Sequence, residues 1–472
     1  MFEPVIAPSA SLLGLLQRGR GDGQLHALAA DRHEAVAALE TCVTSDPRAD
    51  WQVENRSLYY ARLYMELEAP LTGLELHLHS VEDTLDPDEG RTGLTLAVLG
   101  HLAGYGRRDA LTLLRSYVAT GSNWAWALDE LALRDDDERS LLALAPSVLG
   151  RFPAGPEGDA ALRAAVRAAY EPRPWRLWAA HHPRIAAASE QSPFDLWQRQ
   201  MNRTGVTPGW STGDVLAWAD QPEPGGSPER RAAAAARCLA AVVRPEDRPA
   251  VLAAARDGAP GARTAALRYL VDQQDPEAAG LIELAAADID RRVVSSALSE
   301  LRRMRGAAAL EHARRWADPD TGGADSALGE AAVQLLADAG EPADGPLVVA
   351  GLRRWISSRG VEGTGLGTLV DGVGRLAAAG AVPALRHVYG EAASSELRGR
   401  AAKALSLTDQ YFARGIAVEC LWDCEEATRE LAARHVTTTG DVRVLERLRR
   451  LAADPAEEAE VHTVIRSRLT GH

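Results

Sequence analysis

Two tryptophans, Trp124 and Trp126, stand just before two carboxylates, Asp129 and Glu130. On an α-helix, residues four positions apart share a face, so Trp126 and Glu130 line one face while Trp124 and Leu128 line another. A helix packed in a protein buries one face, so one of the tryptophans is expected in the core. The other would then line a concave surface beside a carboxylate. This helix is therefore a candidate binding surface.

A second group of aromatic residues lies in the irregular, proline-rich stretch 171–226, which holds five of the eleven tryptophans. Tryptophan mixed with arginine is the composition of interface hot spots, which predicts a partner-binding groove. Large rings also fill awkward gaps, so a structural plug between two halves of the chain is the alternative. The partner-binding residues predicted are Trp175, Trp178, Trp197, Trp210, Trp218, Trp126, Arg176 and Arg199.

Other residues with catalytic or metal-binding side chains have simpler structural explanations. His181 and His182 point about 100° apart on a helix, and imidazoles at a helix C-terminus stabilise its carbonyl end. Cys420 and Cys424 lie one helical turn apart, where an apolar helix face explains them better than a shared metal. We therefore predict no catalytic residue, no metal site and no cofactor, although a catalytic set assembled in space stays an open alternative.

Nucleotide-binding motifs are also lacking in the sequence. A Walker loop needs Gly-Lys-Ser/Thr, but the only lysine, Lys403, stands between Ala402 and Ala404. The glycine-rich segment Gly360–Gly367 would need a preceding strand to bind a dinucleotide, and the sequence contains no such strand pattern. We expect this segment to be a turn between helices.

The composition indicates a helical protein with an acidic surface. Strand-forming residues never gather into alternating runs, which predicts an all-α fold. The net charge of −14 and the isoelectric point of about 5.4 argue against nucleic acid as the principal partner. The N-terminus has no basic region before its short apolar run, and no uncharged apolar run approaches the ~20 residues that span a bilayer. A cytoplasmic protein without a membrane partner is expected.

The C-terminal half contains a repeat. An arginine or glycine is followed by small apolar residues three, six and seven positions later, which together form one stripe along a helix. Turn signals such as Pro260-Gly261 and Asp318-Pro319 separate the copies, and a period near 33 residues fits two helices with their turns. The copies begin at Arg230, Arg263, Arg291, Gly329, Gly367, Arg398 and Arg429.

This repeat resembles the HEAT-repeat family. The resemblance rests on Asp288-Ile289-Asp290-Arg291 with Ala297-Leu298, and on Ser395-Glu396-Leu397-Arg398 with Ala401 and Ala404-Leu405. It covers about 225–450 and is degenerate around 340–390. The resemblance implies an acidic turn before the second helix of each repeat and an arginine that packs against the neighbouring repeat. The N-terminal half resembles poorly characterised HEAT-like proteins of actinobacteria, which names no activity.

The arrangement of Trp126 and Glu130 is similar in kind to that of alkylpurine DNA glycosylases built from HEAT-like repeats. In those enzymes, aromatic residues and an acid hold a damaged nucleotide. The resemblance implies a basic concave face as well, but no motif matches residue by residue. The best local concentration of positive charge comprises Arg291, Arg292, Arg302, Arg303, Arg305, Arg314 and Arg315.

Together these patterns predict an α-solenoid, a superhelix of stacked antiparallel helix pairs. The expected organisation is degenerate helical repeats over 1–170, a Trp/Pro-rich connecting segment over 171–226 and HEAT-like repeats over 227–472. The predicted function is a non-catalytic scaffold that binds a protein or peptide partner on its curved surface. A DNA-handling protein and an accessory protein of natural-product biosynthesis are the alternatives.

Overall fold

The protein is described by a computed structural model that covers residues 6–46, 54, 56–85, 89–189, 210–221, 228–321, 323–363, 365–439 and 441–470. Helices make up 76% of the structure, and the residues in these ranges form no strand. The all-α prediction is therefore confirmed. No helix in these ranges is long and apolar enough to cross a lipid bilayer.

The helices, numbered in chain order over the described ranges, are short and joined by tight turns. They are α1 (Leu12–Gln17), α2 (Gly21–Ala29), α3 (Arg32–Thr44), α4 (Ser57–Glu66), α5 (Thr72–Leu78), α6 (Val81–Leu85), α7 (Glu89–Gly104), α8 (Arg108–Thr120), α9 (Trp124–Arg134), α10 (Glu138–Leu149), α11 (Pro156–Ala168), α12 (Arg173–Ala179), α13 (Pro183–Ser189), α14 (Thr212–Ala219), α15 (Pro228–Val242), α16 (Arg248–Asp257), α17 (Pro260–Asp272), α18 (Ala278–Ala286), α19 (Arg291–Arg303), α20 (Ala307–Ala317), α21 (Ala327–Ala339), α22 (Gly345–Arg359), α23 (Leu366–Arg375), α24 (Val382–Glu391), α25 (Ser395–Thr408), α26 (Ile416–Cys420), α27 (Glu426–His435), α28 (Val442–Ala453) and α29 (Ala459–Thr470).

These helices form two compact units that do not follow the order of the chain. Unit 1 contains the described residues of Met1–Gln200, Tyr389–Ala402 and Gln410–His472. Unit 2 contains those of Met201–Val388 and Lys403–Asp409. Residues 171–189 of the Trp/Pro-rich segment belong to unit 1, and residues 210–221 belong to unit 2.

Polar capping residues set many of the helix starts. The Asp290 carboxylate accepts a hydrogen bond from the backbone N–H of Arg292 at the start of α19. The Ser326 hydroxyl accepts one from the N–H of Gly329 at the start of α21. Because such caps satisfy amides that the first helical turn leaves unpaired, they place the boundaries of helices that are otherwise rich in alanine and leucine.

In unit 2 the recurring sequence pattern falls on one series of helices. Its copies lie in α15, α17, α19, α21 and α23, and each of these helices packs against the next in the series. The intervening helices α16, α18, α20 and α22 each pack against the helix that follows them. The pattern therefore marks the helices that share the buried layer of this unit.

The buried register within this layer agrees with the pattern in some helices and differs in others. Ala332 and Leu336 of α21 are buried, as the pattern predicts. In α19 the buried stripe instead includes Val293 and Leu301, while Val294 is only half-buried. The predicted stripe for α19 is therefore wrong by one position, because Val293, Ala297 and Leu301 recur at the four-residue spacing that faces the neighbouring helices.

Unit 1 has a continuous apolar core that runs from α1 to α13. Two tryptophans of α12 belong to it. The Trp178 side chain is fully buried, and its indole N–H donates a 2.8 Å hydrogen bond to the carbonyl of Leu141 in α10. Trp175 meets Trp124 of α9 and Trp178 edge to face, with ring centroids 6.2 and 5.2 Å apart. The aromatic cluster thus fastens α12 to α9 and α10.

Segments far apart in the sequence also meet inside unit 1. The Arg398 guanidinium is fully buried. It donates hydrogen bonds to the Asp423 carboxylate at 2.9 Å and to the carbonyl of Arg18 at 2.6 Å. The backbone N–H of Cys424 donates to the carbonyl of Gly19 at 3.0 Å. These contacts join the start of α25 and the turn after α26 to the turn after α1.

Candidate functional site: the α9 cluster

Several polar groups with shifted pKa values lie on α9 and the helices beside it. This group is here named the α9 cluster (Ser57, Arg62, His101, Tyr105, Trp126, Glu130, Arg134 and Asp454). On α9 the Trp126 indole donates a hydrogen bond to the half-buried Glu130 carboxylate one turn later. Burial nevertheless raises the pKa of Glu130 to about 7, against the lowering effect of Trp126 and Arg134. Near neutral pH this carboxyl is therefore divided between its neutral and charged forms.

A glycine on α7 makes room for this carboxyl. A β-carbon at Gly100 would lie 2.0 Å from the Glu130 Oε2 atom, far inside van der Waals contact. One turn later, a β-carbon at Gly104 would lie 3.4 Å from Cδ of Arg134. The two side chains of α9 thus lie across the glycine face of α7. This close approach shields the Glu130 carboxyl from water, which accounts for its raised pKa.

His101, which also lies on α7, faces α4. Its Nε2 atom lies 3.1 Å from the Ser57 hydroxyl, and its Nδ1 atom is buried with no hydrogen-bond partner among the residues that the structure describes. Burial, together with the positive charges of Arg134 and Arg62, lowers the pKa of His101 to about 4. The imidazole is therefore neutral near pH 7, whereas an exposed histidine would be partly protonated just below that pH.

The cluster is closed by residues from the C-terminal part of unit 1. Arg62 of α4 pairs with the Asp454 carboxylate at 2.7 Å and with Glu457 at 3.2 Å. The Tyr105 hydroxyl donates to the Asp454 carboxylate at 3.0 Å. Burial raises the pKa of Tyr105 to about 12, so its hydroxyl keeps its proton. These pairs hold the segment after α28 against α4 and the turn after α7.

The rim of the cluster exposes apolar surface. Tyr170, which follows α11, is 81% exposed, and Leu133 of α9 is 45% exposed. The Asp129 carboxylate accepts backbone hydrogen bonds from Tyr170 at 3.3 Å and from Glu171 at 3.0 Å. Asp129 therefore fixes the turn that presents Tyr170 beside α9. An exposed tyrosine in a turn held by α9, a helix that also exposes Leu133, is a surface suited to binding.

The chemistry available here is recognition and proton exchange. Glu130 can release a proton near neutral pH, while His101 stays neutral and Arg62 is already paired. Among the residues in the described ranges, no three histidine, cysteine, aspartate or glutamate side chains are placed to share a metal ion. The arrangement best suits recognition by the exposed residues of the rim, with a buried titratable carboxyl where α9 packs on α7.

The tryptophans predicted to bind a partner lie in different places. Trp175 and Trp178 are buried in the core of unit 1, and Trp126 is half-buried on α9. In unit 2, Trp210 and Trp218 meet edge to face with ring centroids 5.6 Å apart and cover a small core around α14 and α15. Trp197 lies outside the described residues. Their binding roles stay predictions.

The two arginines predicted to bind a partner are Arg176 and Arg199. Arg176 is exposed on α12. Arg184 pairs with Asp159 at 2.7 Å and donates to the carbonyl of Phe152 at 2.8 Å, which ties α13 to α11. Arg199 lies outside the described residues.

Many of the arginines predicted to form a basic patch in unit 2 are paired with carboxylates. Five of the seven form ion pairs at 2.5 to 3.3 Å: Arg292 with Asp290, Arg303 with Asp272, Arg305 with Asp338, Arg314 with Asp344, and Arg315 with Glu283. Each carboxylate cancels positive charge that a phosphate would otherwise meet.

The remaining motifs have structural surroundings. Cys420 contacts the Tyr389 hydroxyl at 3.3 Å, and the buried Cys424 accepts a hydrogen bond from Arg398 at 3.4 Å. The glycine-rich segment joins α22 to α23, as predicted for a turn between helices. Positive φ angles at Gly360 and Gly365 make the turn, and a β-carbon at Gly365 would lie 3.2 Å from the Trp355 ring.

Sequence reasoning identified part of the α9 cluster and missed the rest. The spacing of Trp126 and Glu130 placed them on one face, and the structure shows them in contact. Gly100, His101 and Asp454 carry no local signal because their roles depend on helices that meet only in the folded chain. No protein-family model matches the chain, and no curated protein matches it in sequence.

Proposed function

We propose that this chain is an α-solenoid of HEAT-like repeats that binds a basic segment of a partner protein at the α9 cluster. The single observation that carries the binding proposal is the exposed Tyr170 in the turn that Asp129 of α9 fixes, together with the exposed Leu133 of the same helix. Exposed aromatic side chains are enriched among interface hot spots.

The periodic arginines support the solenoid. Arg263 pairs with Asp288 in the turn before the next helix of the buried series. Arg398 pairs with Asp423 at the same separation along the chain, and Arg429 pairs with Glu457 at 2.7 Å. The first two pairs each join one copy of the pattern to the acidic turn before the following copy, as the resemblance to HEAT repeats implies, and the third joins the last copy to the turn before α29. The arginine therefore acts as a link between neighbouring repeats.

Charge favours a basic partner. The carboxylates of Asp129 and Glu171 lie at or beside Tyr170, and the solvated run after α9 adds Asp136, Asp137 and Glu138. Arg134, Arg139 and Arg173 offset only part of this charge. Lysine or arginine near Glu130 would favour its charged form and stack on the exposed aromatic rings.

The same charges weigh against the DNA-handling alternative. The arginines that would form its basic face are largely paired with carboxylates, and the chain carries a net charge of −14. Because counterion release drives binding to duplex DNA, a neutralised face loses most of that affinity. We therefore expect negligible binding to duplex DNA at roughly physiological salt in a fluorescence anisotropy titration.

The proposal is tested with a photo-crosslinking amino acid at position 170 of the full chain. In cells that produce the protein, we expect crosslinks from position 170 to an arginine- or lysine-rich segment of another protein. With that partner purified, Tyr170→Ala should weaken binding by about 2 kcal/mol, roughly thirtyfold in Kd.

The matched control is Tyr411→Ala, because Tyr411 is a second exposed tyrosine of unit 1, 63% exposed and outside the α9 cluster. It should leave the affinity unchanged. Equal binding by the parent, Tyr170→Ala and Leu133→Ala proteins would refute the site. Sub-micromolar, salt-sensitive binding to duplex DNA would favour the alternative function.

A further inference from the structure

Unit 1 contains two parts of the chain that meet along a polar boundary. The early part comprises α1 to α13, and the late part comprises the described residues of 389–402 and 410–470. Among the described residues of the late part, Cys424 alone belongs to the apolar core that runs from α1 to α13. Val444 and Leu448 of α28 are fully buried but lie outside that core. The two parts therefore bury most of their apolar residues separately, and the boundary between them is here named the seam.

Arginines of the early part cross the seam to acceptors of the late part. The four contacts are Arg18 to the carbonyl of Glu391 at 3.2 Å, Arg20 to the Glu419 carboxylate at 2.9 Å, Arg56 to the carbonyl of Ala393 at 2.9 Å and Arg62 to the Asp454 carboxylate at 2.7 Å. All four arginines are buried or nearly so. The seam thus joins a largely basic early face to a largely acidic late face. Charge complementarity of this kind guides two faces into register more than it strengthens their contact.

Other polar groups at the seam are satisfied only in part. The Glu54 carboxylate accepts a hydrogen bond from the N–H of Ser395 at 3.0 Å, at the start of α25. The Glu66 carboxylate lies 3.9 Å from the Arg447 guanidinium, which is too far for a hydrogen bond. The Nε atom of Arg56 is buried with no hydrogen-bond partner among the residues that the structure describes. Closing the seam therefore removes charged groups from water without pairing all of them.

The seam differs in energy from the apolar cores on its two sides. Removing charges from water costs free energy that ion pairing returns only in part, whereas apolar burial is favourable throughout. Polar interfaces within one chain are accordingly those along which its parts move. Separation along the seam returns charges to water and leaves the apolar core of α1 to α13 intact except for its contact with Cys424.

The backbones of the two parts approach closely where α2 packs on α26. A β-carbon at Gly21, the first residue of α2, would lie 2.0 Å from the carbonyl oxygen of Glu419. A β-carbon at Gly19, where φ is +67°, would lie 2.4 Å from Sγ of Cys424. Glycine therefore permits the closed contact, and a single methyl group at position 21 is incompatible with it.

We propose that the seam is a reversible closure: the early and late parts of unit 1 separate and rejoin along it while their helices stay folded. Dissolved ions weaken the attraction between the basic and acidic faces, so a rise in ionic strength favours the open form. The closure is a property of unit 1 and does not depend on the function proposed for the α9 cluster.

The test is a distance measurement across the seam in the full chain by pulsed electron–electron double resonance. Spin labels are attached through Ala37→Cys on α3 and Thr463→Cys on α29, because both positions are exposed whereas the four native cysteines are buried. At low ionic strength we expect one short distance. Added sodium chloride should create a second, longer distance whose population grows with the salt concentration. Circular dichroism of the same samples should show an unchanged helix content.

A steric variant and a matched control separate opening of the seam from general loosening. Gly21→Ala should make the longer distance the major population at low salt, because its methyl group meets the carbonyl of Glu419. Alanine is the better helix former, so α2 itself is not weakened. Gly280→Ala is the control, because a β-carbon at this helical position of unit 2 meets nothing within 4 Å. It should give the distance of the parent.

A charge exchange at one ion pair tests the electrostatic part of the proposal. Arg20→Glu places two carboxylates opposite each other and should open the seam, whereas the double variant Arg20→Glu with Glu419→Arg should restore the short distance.

Two results would overturn the proposal. One is an unchanged distance in Gly21→Ala and at every salt concentration. The other is a loss of helix in proportion to the longer distance, because the seam and the cores would then unfold together. If Gly21→Ala fails to fold, the salt titration of the parent decides between these outcomes and the proposed opening.

Discussion

At the scale of single residues, Glu130 links the stability of the protein to pH. Its pKa is about 7 in the folded chain and 4.5 in its ordinary range, so the folded state holds the proton more tightly. This contribution to stability is complete below about pH 4.5 and is lost as the pH rises through 7. At alkaline pH the free energy of unfolding of the parent protein is therefore lowered by the charged form of this one carboxyl.

We predict that Glu130→Gln raises the free energy of unfolding at pH 8 by about 1–3 kcal/mol and changes it little at pH 4.5. The amide is neutral at both pH values, and its oxygen can still accept from the Trp126 indole. Urea unfolding of parent and variant at the two pH values measures the difference. If the variant and the parent are equally stable at pH 8, the charged carboxylate of Glu130 is not destabilised by burial, and the prediction is wrong.

His101 has the opposite dependence. Its pKa is about 4 in the folded chain and 6.5 in its ordinary range, so the contribution to stability is complete above pH 6.5 and is lost as the pH falls toward 4. We predict that His101→Gln, which can still bond to Ser57, loses less stability than the parent between pH 7 and pH 4. Chemical unfolding between pH 7 and pH 4 measures how the free energy of unfolding of each protein depends on pH. An equal dependence in the parent and the variant would refute the lowered pKa of His101.

At the scale of helices, α12 is held by its tryptophans, whereas the turn before it presents Tyr170 to solvent. We predict that Trp178→Ala costs about 3–5 kcal/mol, because the ring is fully buried and its N–H is bonded to the carbonyl of Leu141. Tyr170→Ala should cost less than about 0.5 kcal/mol, because its ring is 81% exposed. Thermal unfolding of the two variants separates a packing tryptophan from a surface aromatic, and equal losses would refute the distinction.

At the scale of the whole molecule, the fully buried Arg398 joins segments that the sequence separates by several hundred residues. We predict that Arg398→Ala costs about 3–5 kcal/mol, because it leaves the buried Asp423 carboxylate without its guanidinium and removes the hydrogen bond to the carbonyl of Arg18. Arg400→Ala is the matched control on the same helix. Its partly exposed pair with Glu396 at 3.6 Å should contribute at most about 1 kcal/mol.

Denaturant unfolding of the full chain checks this prediction. Because Arg398 contacts both the turn after α1 and the turn after α26, its loss should also increase hydrogen exchange at the amide of Cys424, which is bonded to Gly19. Equal stability of the two arginine variants would mean that the contact between the early and late segments of unit 1 contributes little.

The local sequence pattern was sufficient to predict the all-α class and part of the buried layer of unit 2. The buried stripe that includes Ala332 and Leu336 could be predicted from the sequence, because helical periodicity repeats within a few residues. The same reasoning failed by one position in α19, because the neighbouring helices decide which of two adjacent apolar residues is covered. The pairing of Trp126 with Glu130 was predictable for the same local reason, since four residues span one helical turn.

The sequence by itself determined that the chain is helical, which helices of unit 2 carry the repeated pattern and that Trp126 shares a face with Glu130. Only the tertiary structure decided that Glu130 lies across Gly100, that Arg62 and Tyr105 meet Asp454, and that Arg398 reaches the carbonyl of Arg18. The physical reason is the distance along the chain between the residues that interact. Periodicity and capping act within one or two turns, whereas desolvation and ion pairing depend on groups that folding brings together from distant segments.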